Sequence, residues 1–277
     1  IQKSVVTSGA NSELGTKLDK WNFVSSTPTA EGTVVRTNSN GSRVVVANGS
    51  SIQTYEWNAS TALESVEGSD LTPFTITDIQ LSGDGNSMIV LMENTTGYEV
   101  KVYEWNDGWQ QLGGTYNSNE SLVIAINENG SRIAIGQPTA KNNRGSVVVY
   151  DYKVPSTTDT LLDSTITEIS YNQKYWTKVG YTIHGEAEGD RSGTSISLDK
   201  DGALAIGAPQ NKGTGTDAGH VRIYEYKQYN EENDQNNYRY TTLNDAGRKS
   251  VMITQNTLPT TFTSTEDHFT APVDGNY

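Results

Sequence analysis

The amino-acid sequence predicts an all-β protein built from repeated antiparallel sheets, and three observations support that prediction. Only 34% of the 277 residues are hydrophobic, which is typical of sheets that are buried on one face and joined by many turns. Tyr and Trp, with 15 and 5 residues, outnumber the 4 Phe, as expected where amphipathic rings lie at sheet rims. The third observation is a pattern of turn, apolar run, loop and alternating strand that recurs along the chain.

The first part of each repeat is a turn followed by a short apolar run. The turns contain a dipeptide that favours hairpins because its glycine readily adopts positive φ. These dipeptides are Asn40-Gly41, Asp84-Gly85, Asn129-Gly130 and Asp201-Gly202. The apolar runs follow at 44–47, 88–91, 133–135 and 204–206. Because they do not alternate with polar residues, we expect inner strands that are covered on both faces.

The second part of each repeat is an alternating strand that ends in an aromatic-acid-aromatic triplet. The triplets are Tyr55-Glu56-Trp57, Tyr103-Glu104-Trp105, Tyr150-Asp151-Tyr152 and Tyr224-Glu225-Tyr226. A further strand is predicted between copies, and Trp21, Trp109 and Trp176 occupy equivalent positions in it. We expect the triplet aromatics to pack between neighbouring sheets rather than to stack on carbohydrate.

The spacing of the repeats indicates a β-propeller. The first two intervals between turn glycines are about 44 and 45 residues, which fits four-stranded propeller blades. The third is about 72 residues because of a polar insertion at 154–173, and another polar insertion lies at 228–237. We expect both insertions to be surface loops. Stacking such sheets around an axis covers the faces that a single sheet would leave exposed.

The predicted propeller covers residues 1–248 and consists of at least four blades, each a four-stranded antiparallel sheet. The recognisable repeats lie around 18–60, 61–107, 108–153 and 174–245. Residues 249–277 are predicted to form a C-terminal tail or to begin another domain. A closed four-blade ring and part of a larger ring both agree with this pattern. The chain begins with Ile1 and is expected to be processed or partial.

The fourth repeat resembles a known family. Its segment "DRSGTSISLDKDGALAIGAPQNKGTGTDAGHVRIYEYK" resembles FG-GAP-like β-propeller repeats. The matching positions are Gly189, Asp190, Gly193, Gly207, Ala208, Pro209, Gly219 and Tyr224. The third repeat keeps a weaker form, and the first two keep only the turn, the apolar run and the triplet. The resemblance implies a propeller over roughly 18–245, although Ser192-Gly193 replaces the Phe-Gly of the family name.

Calcium is the one cofactor that this resemblance raises. Integrin-type members of the family carry a calcium loop with several Asp or Asn residues, and calcium takes about six to eight oxygen ligands. The fourth turn offers Asp199 and Asp201, and the second offers Asp84 alone. The other two turns offer Asn38 with Asn40, and the Asn residues of 127–129. Because so few oxygens are available, we expect hairpin turns rather than calcium sites.

The C-terminal stretch resembles a different family. The sequence "FTAPVDGNY" at 269–277 is similar to an early strand of jelly-roll domains of the complement and tumour-necrosis-factor type. That resemblance implies a homo-oligomer formed through a C-terminal domain. The alternative is a tail strand that docks on the propeller.

The sequence predicts no catalytic, cofactor-binding or metal-binding residue. His184, His220 and His268 have no H-E-x-x-H or H-x-H spacing, and the absence of Cys excludes disulfides and thiolate chemistry. Glu186, Glu188 and Asp190 could do acid–base chemistry or bind a cation, but an exposed turn is favoured. The Gly-rich stretch at 211–219 lacks the P-loop pattern and joins two strands, so a phosphate site is not expected.

Charge and hydropathy limit the partners. A net charge of −13 disfavours nucleic acid, which needs clustered Lys and Arg. No apolar run approaches the roughly 18 to 20 residues that span a bilayer. Six N-x-[ST] sequons permit a glycoprotein, although this composition produces roughly five by chance. They lie at Asn40, Asn48, Asn58, Asn94, Asn119 and Asn129.

The function predicted from these observations is recognition. We expect a chain that is not an enzyme and that presents the variable loops of one rim to a protein or glycan. Its predicted location is extracellular, on a cell or virion surface, where it would act in adhesion or assembly. One alternative is a purely structural subunit of a particle, shell or filament. A propeller hydrolase or lyase with acids at the central channel is a less favoured alternative.

Overall fold

The computed structural model describes residues 32–57, 63–71, 73–156, 159–170, 172–213, 215, 218–228, 238–243 and 249–251. These residues form four antiparallel sheets, each of which follows the chain from strand to strand. The first sheet consists of β1 (Val34–Thr37), β2 (Arg43–Asn48), β3 (Ser51–Trp57) and β4 (Leu63–Asp70). The second consists of β5 (Thr75–Leu81), β6 (Ser87–Asn94), β7 (Gly97–Trp105), β8 (Trp109–Gln111) and β9 (Tyr116–Ser118).

The third and fourth sheets repeat this plan. The third consists of β10 (Val123–Ile126), β11 (Arg132–Gln137), β12 (Ser146–Lys153), β13 (Tyr175–Lys178) and β14 (Ile183–His184). The fourth consists of β15 (Ser195–Leu198), β16 (Leu204–Ala208), β17 (His220–Gln228), β18 (Tyr238–Leu243) and β19 (Lys249–Val251). In the second and third sheets the outer edge is formed by two short strands, because β9 pairs with β7 and β14 with β12. This architecture confirms the predicted all-β propeller fold.

Helical structure in the described ranges is confined to one short turn, α1 (Ala140–Asn143). No helix there has the length and apolar character needed to cross a bilayer.

The sheets are offset from the predicted repeats. Each sheet starts at its first, inner strand, whereas the predicted unit 61–107 starts at β4, the last strand of the first sheet. A repeat in sequence has no intrinsic starting point, and only strand pairing decides which neighbours share a sheet. At the other end, β19 pairs with β18, so the fourth sheet continues three residues past 248. Trp21, His268 and the jelly-roll-like stretch lie outside the described residues.

Three apolar clusters hold the four sheets together, one between each sheet and the next. The inner strands of successive sheets lie side by side, β1 against β5, β5 against β10 and β10 against β15. Strand β6 shows why the apolar runs do not alternate. Its Ile89 packs in the cluster shared with the third sheet, whereas the adjacent Val90 packs in the cluster shared with the first.

The triplet aromatics pack between sheets, as expected from the sequence. The first aromatic of each triplet is buried, namely Tyr55, Tyr103, Tyr150 and Tyr224. In the second and fourth sheets the second aromatic, Trp105 or Tyr226, contacts an arginine of the preceding sheet. Arg132 forms a two-pronged ion pair with Asp151 of its own sheet, and its guanidinium carbon lies 4.6 Å from the centre of the Tyr226 ring in the fourth sheet. Arg43 contacts Glu56 and Trp105 in the same way between the first and second sheets.

The insertion at 154–173 is not only a surface loop. Leu162 is 5% exposed and joins the cluster between the second and third sheets. Its backbone N–H donates to the carbonyl oxygen of Trp176 at 2.8 Å, so the insertion runs along the outer strand of the third sheet. The buried Leu162, together with backbone contacts such as the Leu161–Thr177 bridge, holds the insertion to the sheet, which the average polarity of the segment conceals.

Candidate functional site

The first hairpin turns of the four sheets are more uniform than the connections at the opposite rim. The turn rim, defined by the first hairpin turns at 38–42, 82–86, 127–131 and 199–203, has nearly uniform geometry. The loop rim is defined by the connections between the second and third strands of each sheet and by the linker 185–194. Those connections are 49–50, 95–96, 138–145 and 209–219, so they grow from two residues to eleven. Among these two sets of connections, length varies most on the loop rim of the third and fourth sheets. The connections between the third and fourth strands of each sheet leave from the opposite end and also vary, from 106–108 to 154–174.

The turns on the turn rim use their polar side chains internally. Asp199 Oδ1 accepts hydrogen bonds from the backbone N–H groups of Asp201 and Ala203, at 2.9 and 2.7 Å. Asp84 accepts hydrogen bonds from Ser82 and from both the backbone and the side chain of Asn86. Burial acts to raise the pKa of Asp84, but these hydrogen bonds outweigh it and the net pKa is lowered. The oxygens that a calcium ion would need are therefore already engaged in shaping the turns.

Metal-binding geometry is not found in the described part of the chain, where no three His, Asp or Glu side chains converge. His184 lies at the end of β14 and His220 at the start of β17. The calcium alternative and the predicted absence of any cofactor stay predictions.

A cavity of 490 Å³ lies among the inner strands of the first three sheets, beside the 95–96 loop. Its charged groups are Glu93 and the ion pair between Arg36 of β1 and Asp78 of β5. Tyr98 adds a phenol, and the apolar part of the wall comes from β6 and residues 122–123. Because Arg36 neutralises Asp78, the cavity presents Glu93 as its remaining carboxylate, which suits a polar ligand more than paired acid–base chemistry.

The long loop of the third sheet has an unusual backbone. Lys141, Asn142 and Asn143 have φ values of 51°, 58° and 60°, so α1 is a left-handed turn. Left-handed conformation costs an L-residue roughly 1–2 kcal/mol, although Asn tolerates it better than most. Such a turn persists only where surrounding contacts hold it.

Those contacts come from the linker 185–194. The N–H of Arg191 donates to the carbonyl of Asn143 at 2.8 Å, and the N–H of Ser192 donates to the carbonyl of Arg144 at 3.1 Å. The linker also donates from Gly185 to the carbonyl of Gly145 at 3.0 Å. Loop 138–145 and the linker therefore form one backbone-paired platform on the loop rim.

Asp190 holds this platform to the fourth sheet. It is 2% exposed, and its Oδ2 accepts hydrogen bonds from the N–H groups of Glu186 and Ala187, at 3.1 and 2.9 Å. The same oxygen accepts from Asn211 Nδ2 at 3.0 Å, and Asn211 lies in the 209–219 loop. Glu186 is in turn ion-paired with Arg222 of β17. One buried carboxylate thus ties the linker to the 209–219 loop.

This geometry corrects the prediction of an exposed turn at 185–190. Glu186 and Glu188 are exposed, but Asp190 is buried and structural. The Gly189-Asp190 dipeptide of the FG-GAP-like motif was the available signal for its importance. No sequence motif pointed to Asn211 or Arg222, because their partners lie 21 to 36 residues away in the chain.

Three basic residues of the platform, Lys141, Arg144 and Arg191, lie among the carboxylates of the linker. Lys141 Nζ lies 3.1 Å from His184 Nε2. Burial lowers the pKa of His184, and the nearby Lys141, Arg144 and Lys178 lower it further. The surroundings of His184 therefore favour its neutral form.

No family model and no curated protein matches the sequence, but solved structures match it at low identity. Hydrazine synthase of Kuenenia stuttgartiensis is 12% identical with a TM-score of 0.40, over 79% of this chain and 53% of the other. Hsv2 of Kluyveromyces lactis is 11% identical with a TM-score of 0.44, over 74% and 60%. A Bacteroides uniformis protein assigned as a 6-phosphogluconolactonase is 10% identical with a TM-score of 0.43, over 74% and 52%.

These structures are propeller-type folds, and the chain spans between about half and three-fifths of their length. They correct the prediction that the chain is not an enzyme, because two of the three carry enzyme names. That prediction rests on the absence of local catalytic motifs, whereas a propeller assembles sites from side chains on separate blades, which no local motif reveals. At these identities the matches show the fold alone and assign no reaction.

Proposed function

We propose that this β-propeller is a recognition module whose loop rim binds a protein or glycan at a cell or virion surface. The observation that carries the proposal is the loop rim of the third and fourth sheets, where two connections lengthen to eight and eleven residues and the linker 185–194 pairs with the first of them. Binding residues are commonly placed on loops that a rigid scaffold positions. The FG-GAP-like resemblance belongs to this proposal, and the buried Asp190 at its Gly-Asp position supports it.

The platform also suits binding because it is rigid before a ligand arrives. The left-handed turn is held by backbone hydrogen bonds to the linker, and Asp190 and Asn211 tie the linker to the 209–219 loop. A surface ordered in advance loses less conformational entropy when a ligand binds.

The experiment is a glycan and protein array with the full chain, followed by hydrogen exchange with and without the best ligand. We expect slower amide exchange in 138–145, 185–194 and 209–219, and unchanged exchange in the turns at 82–86 and 127–131. Protection confined to the turn rim, or no binding by the folded chain, would contradict the proposal.

A second candidate function is a structural subunit, and one observation favours it. Val221 and Ile223 on β17 are 63% and 48% exposed, and two adjacent exposed apolar side chains on a sheet suit a contact with another subunit. Light scattering on the full chain and on a Val221→Thr, Ile223→Thr variant tests this candidate. Assembly through this face predicts an oligomer that the variant loses. A monomer, or an oligomer that the variant keeps, excludes it.

A further inference from the structure

Two arginines are backbone neighbours on the platform. Gly145 and Ser192 form a parallel bridge, and Arg144 and Arg191 are the residues just before them on the two segments. The carbonyls of Asn143 and Arg144 accept the N–H groups of Arg191 and Ser192, which fixes this proximity. The backbones of two arginines that are 47 positions apart in the chain are thus held next to each other.

These arginines have no acidic partner among the residues that the structure describes. Neither side chain forms an ion pair or hydrogen bond there, although Arg144 is only partly exposed. Lys141 likewise contacts His184 and no carboxylate.

The acids nearby are already engaged. Asp190 accepts two backbone N–H groups and the Asn211 amide. Glu186 pairs with Arg222, and Glu188 Oε1 accepts from Asn142 Nδ2 at 3.1 Å. Of these three acids, only Glu186 is paired with a cation, whereas Asp190 and Glu188 bind neutral N–H groups and keep their charge. Their oxygens are occupied, but their charges offset part of the charge of the three cations.

Unpaired like charges on a fixed backbone repel one another, and partial burial weakens the screening by water. Burial lowers the pKa of His184, and two of these cations, Lys141 and Arg144, lower it further together with Lys178. An oxyanion would relieve the repulsion, and arginine forks match the geometry of carboxylate and sulfate oxygens.

A glycan fits the surroundings better than the other polyanions. Nucleic acid would need an extended basic surface, whereas this region of an acidic protein offers Lys141, Arg144, Arg191 and the nearby Lys178. Tyr181, three residues before His184, is 56% exposed and offers a ring face to a sugar. Asn143 is also exposed and supplies amide hydrogen-bonding groups.

We propose that Lys141, Arg144 and Arg191 bind the oxyanion group, sulfate or carboxylate, of an acidic glycan. This inference rests on the proposed function, because it names the ligand class of the same loop rim. Sulfated and carboxylated glycans would present the same kind of oxyanion to these cations, and the experiment distinguishes between them.

The test is calorimetric titration of the full chain with a sulfated oligosaccharide, its desulfated form and a uronic-acid oligosaccharide, at low and moderate salt. We expect binding of at least one charged oligosaccharide, none of the desulfated neutral form, and weaker binding at higher salt. Arg191→Gln and Arg144→Gln should each weaken binding about tenfold or more, as for a lost charge-assisted hydrogen bond. Lys141→Gln should weaken it less, because a lysine contributes a single point charge.

Lys200→Gln is the matched control, because it removes the same charge from an exposed side chain on the turn rim. It should change affinity less than twofold, and thermal unfolding should show that all variants stay folded. Unchanged affinity in both Arg variants, or binding of an acidic peptide but no glycan, would overturn the inference. Binding of a neutral glycan or a protein at the loop rim, unaffected by the Arg variants, would overturn it while leaving the proposed function standing. If no ligand binds at the loop rim, both this inference and the proposed function are contradicted.

Discussion

The third and fourth sheets carry the same strand pattern, yet their outward faces meet different surroundings. In the third sheet Val147 and Val149 are 0% and 1% exposed, packed against the fourth sheet. The equivalent positions of the fourth sheet, counted back from the triplet tyrosines, are Val221 and Ile223, which are 63% and 48% exposed. The comparison shows that the repeat encodes strands with an apolar face, whereas burial of that face depends on a neighbouring sheet.

The third and fourth sheets also differ in the arginine contact that each can make with a neighbouring sheet. Arg132 of the third sheet pairs with Asp151 and reaches Tyr226 of the fourth. The equivalent residue of the fourth sheet is Ala203, so the fourth sheet has no arginine to offer a further neighbour from this position. The third-to-fourth junction combines an apolar cluster, an arginine contact and the Asp190 network, and these can be tested one at a time.

The largest expected effect comes from a charge at the buried face. Val147→Asp places an unpaired carboxylate in the cluster between the third and fourth sheets, and we expect unfolding free energy to fall by at least about 4 kcal/mol. Val221→Asp, at the equivalent exposed position, should change it by less than about 0.5 kcal/mol. Urea unfolding of both variants measures the difference. Equal damage would show that the outward face of the fourth sheet is covered.

The Asp190 network should give the next largest effect. Asp190→Ala removes the acceptor of two backbone N–H groups and of Asn211, and we expect a loss of about 2 kcal/mol with faster hydrogen exchange in 185–191. Asp201→Ala is the control, because its side chain is 74% exposed on the turn rim. Similar losses in the two variants would show that Asp190 does not hold the linker in place.

The arginine contact should contribute less. Arg132→Ala removes a partly buried ion pair with Asp151 and the contact with the Tyr226 ring, so we expect a loss of about 1–2 kcal/mol in urea unfolding. Lys200→Ala breaks an ion pair whose side chains are 68% and 74% exposed and should have no measurable effect. If Arg132→Ala leaves the unfolding free energy unchanged, the arginine contact does not contribute to joining the two sheets.

The smallest effect is a dependence on pH. The pKa of His184 in the folded chain is lowered from 6.5, first by burial and then by Lys141, Arg144 and Lys178. As the pH falls below about 6.5, the unfolded chain therefore takes up this proton first, and stability decreases. Unfolding measured at pH 7.5 and at pH 5.5 should show a smaller decrease in stability for His184→Gln than for the wild type and for His220→Gln. An equal decrease in stability in all three proteins would show that His184 is not the group responsible for the pH dependence.

Local features of the sequence determined the strands and turns. The turn glycines at 41, 85, 130 and 202 all have positive φ, because the conformational preference of glycine acts within a few residues. The non-alternating runs became strands covered on both faces for a similarly local reason, since the side-chain direction of a strand alternates at every residue. The triplet tyrosines were placed correctly by the same periodicity.

Contacts between distant residues were decided only by the tertiary structure. Asp190 is buried because Asn211 and the linker close over it, and Leu162 is buried because its loop runs along β13. The pairing of Arg144 with Arg191, and the exposure of Val221 against the burial of Val147, have no local signature. Period and turn chemistry are short-range properties, whereas burial and charge clustering depend on which segments the fold brings together.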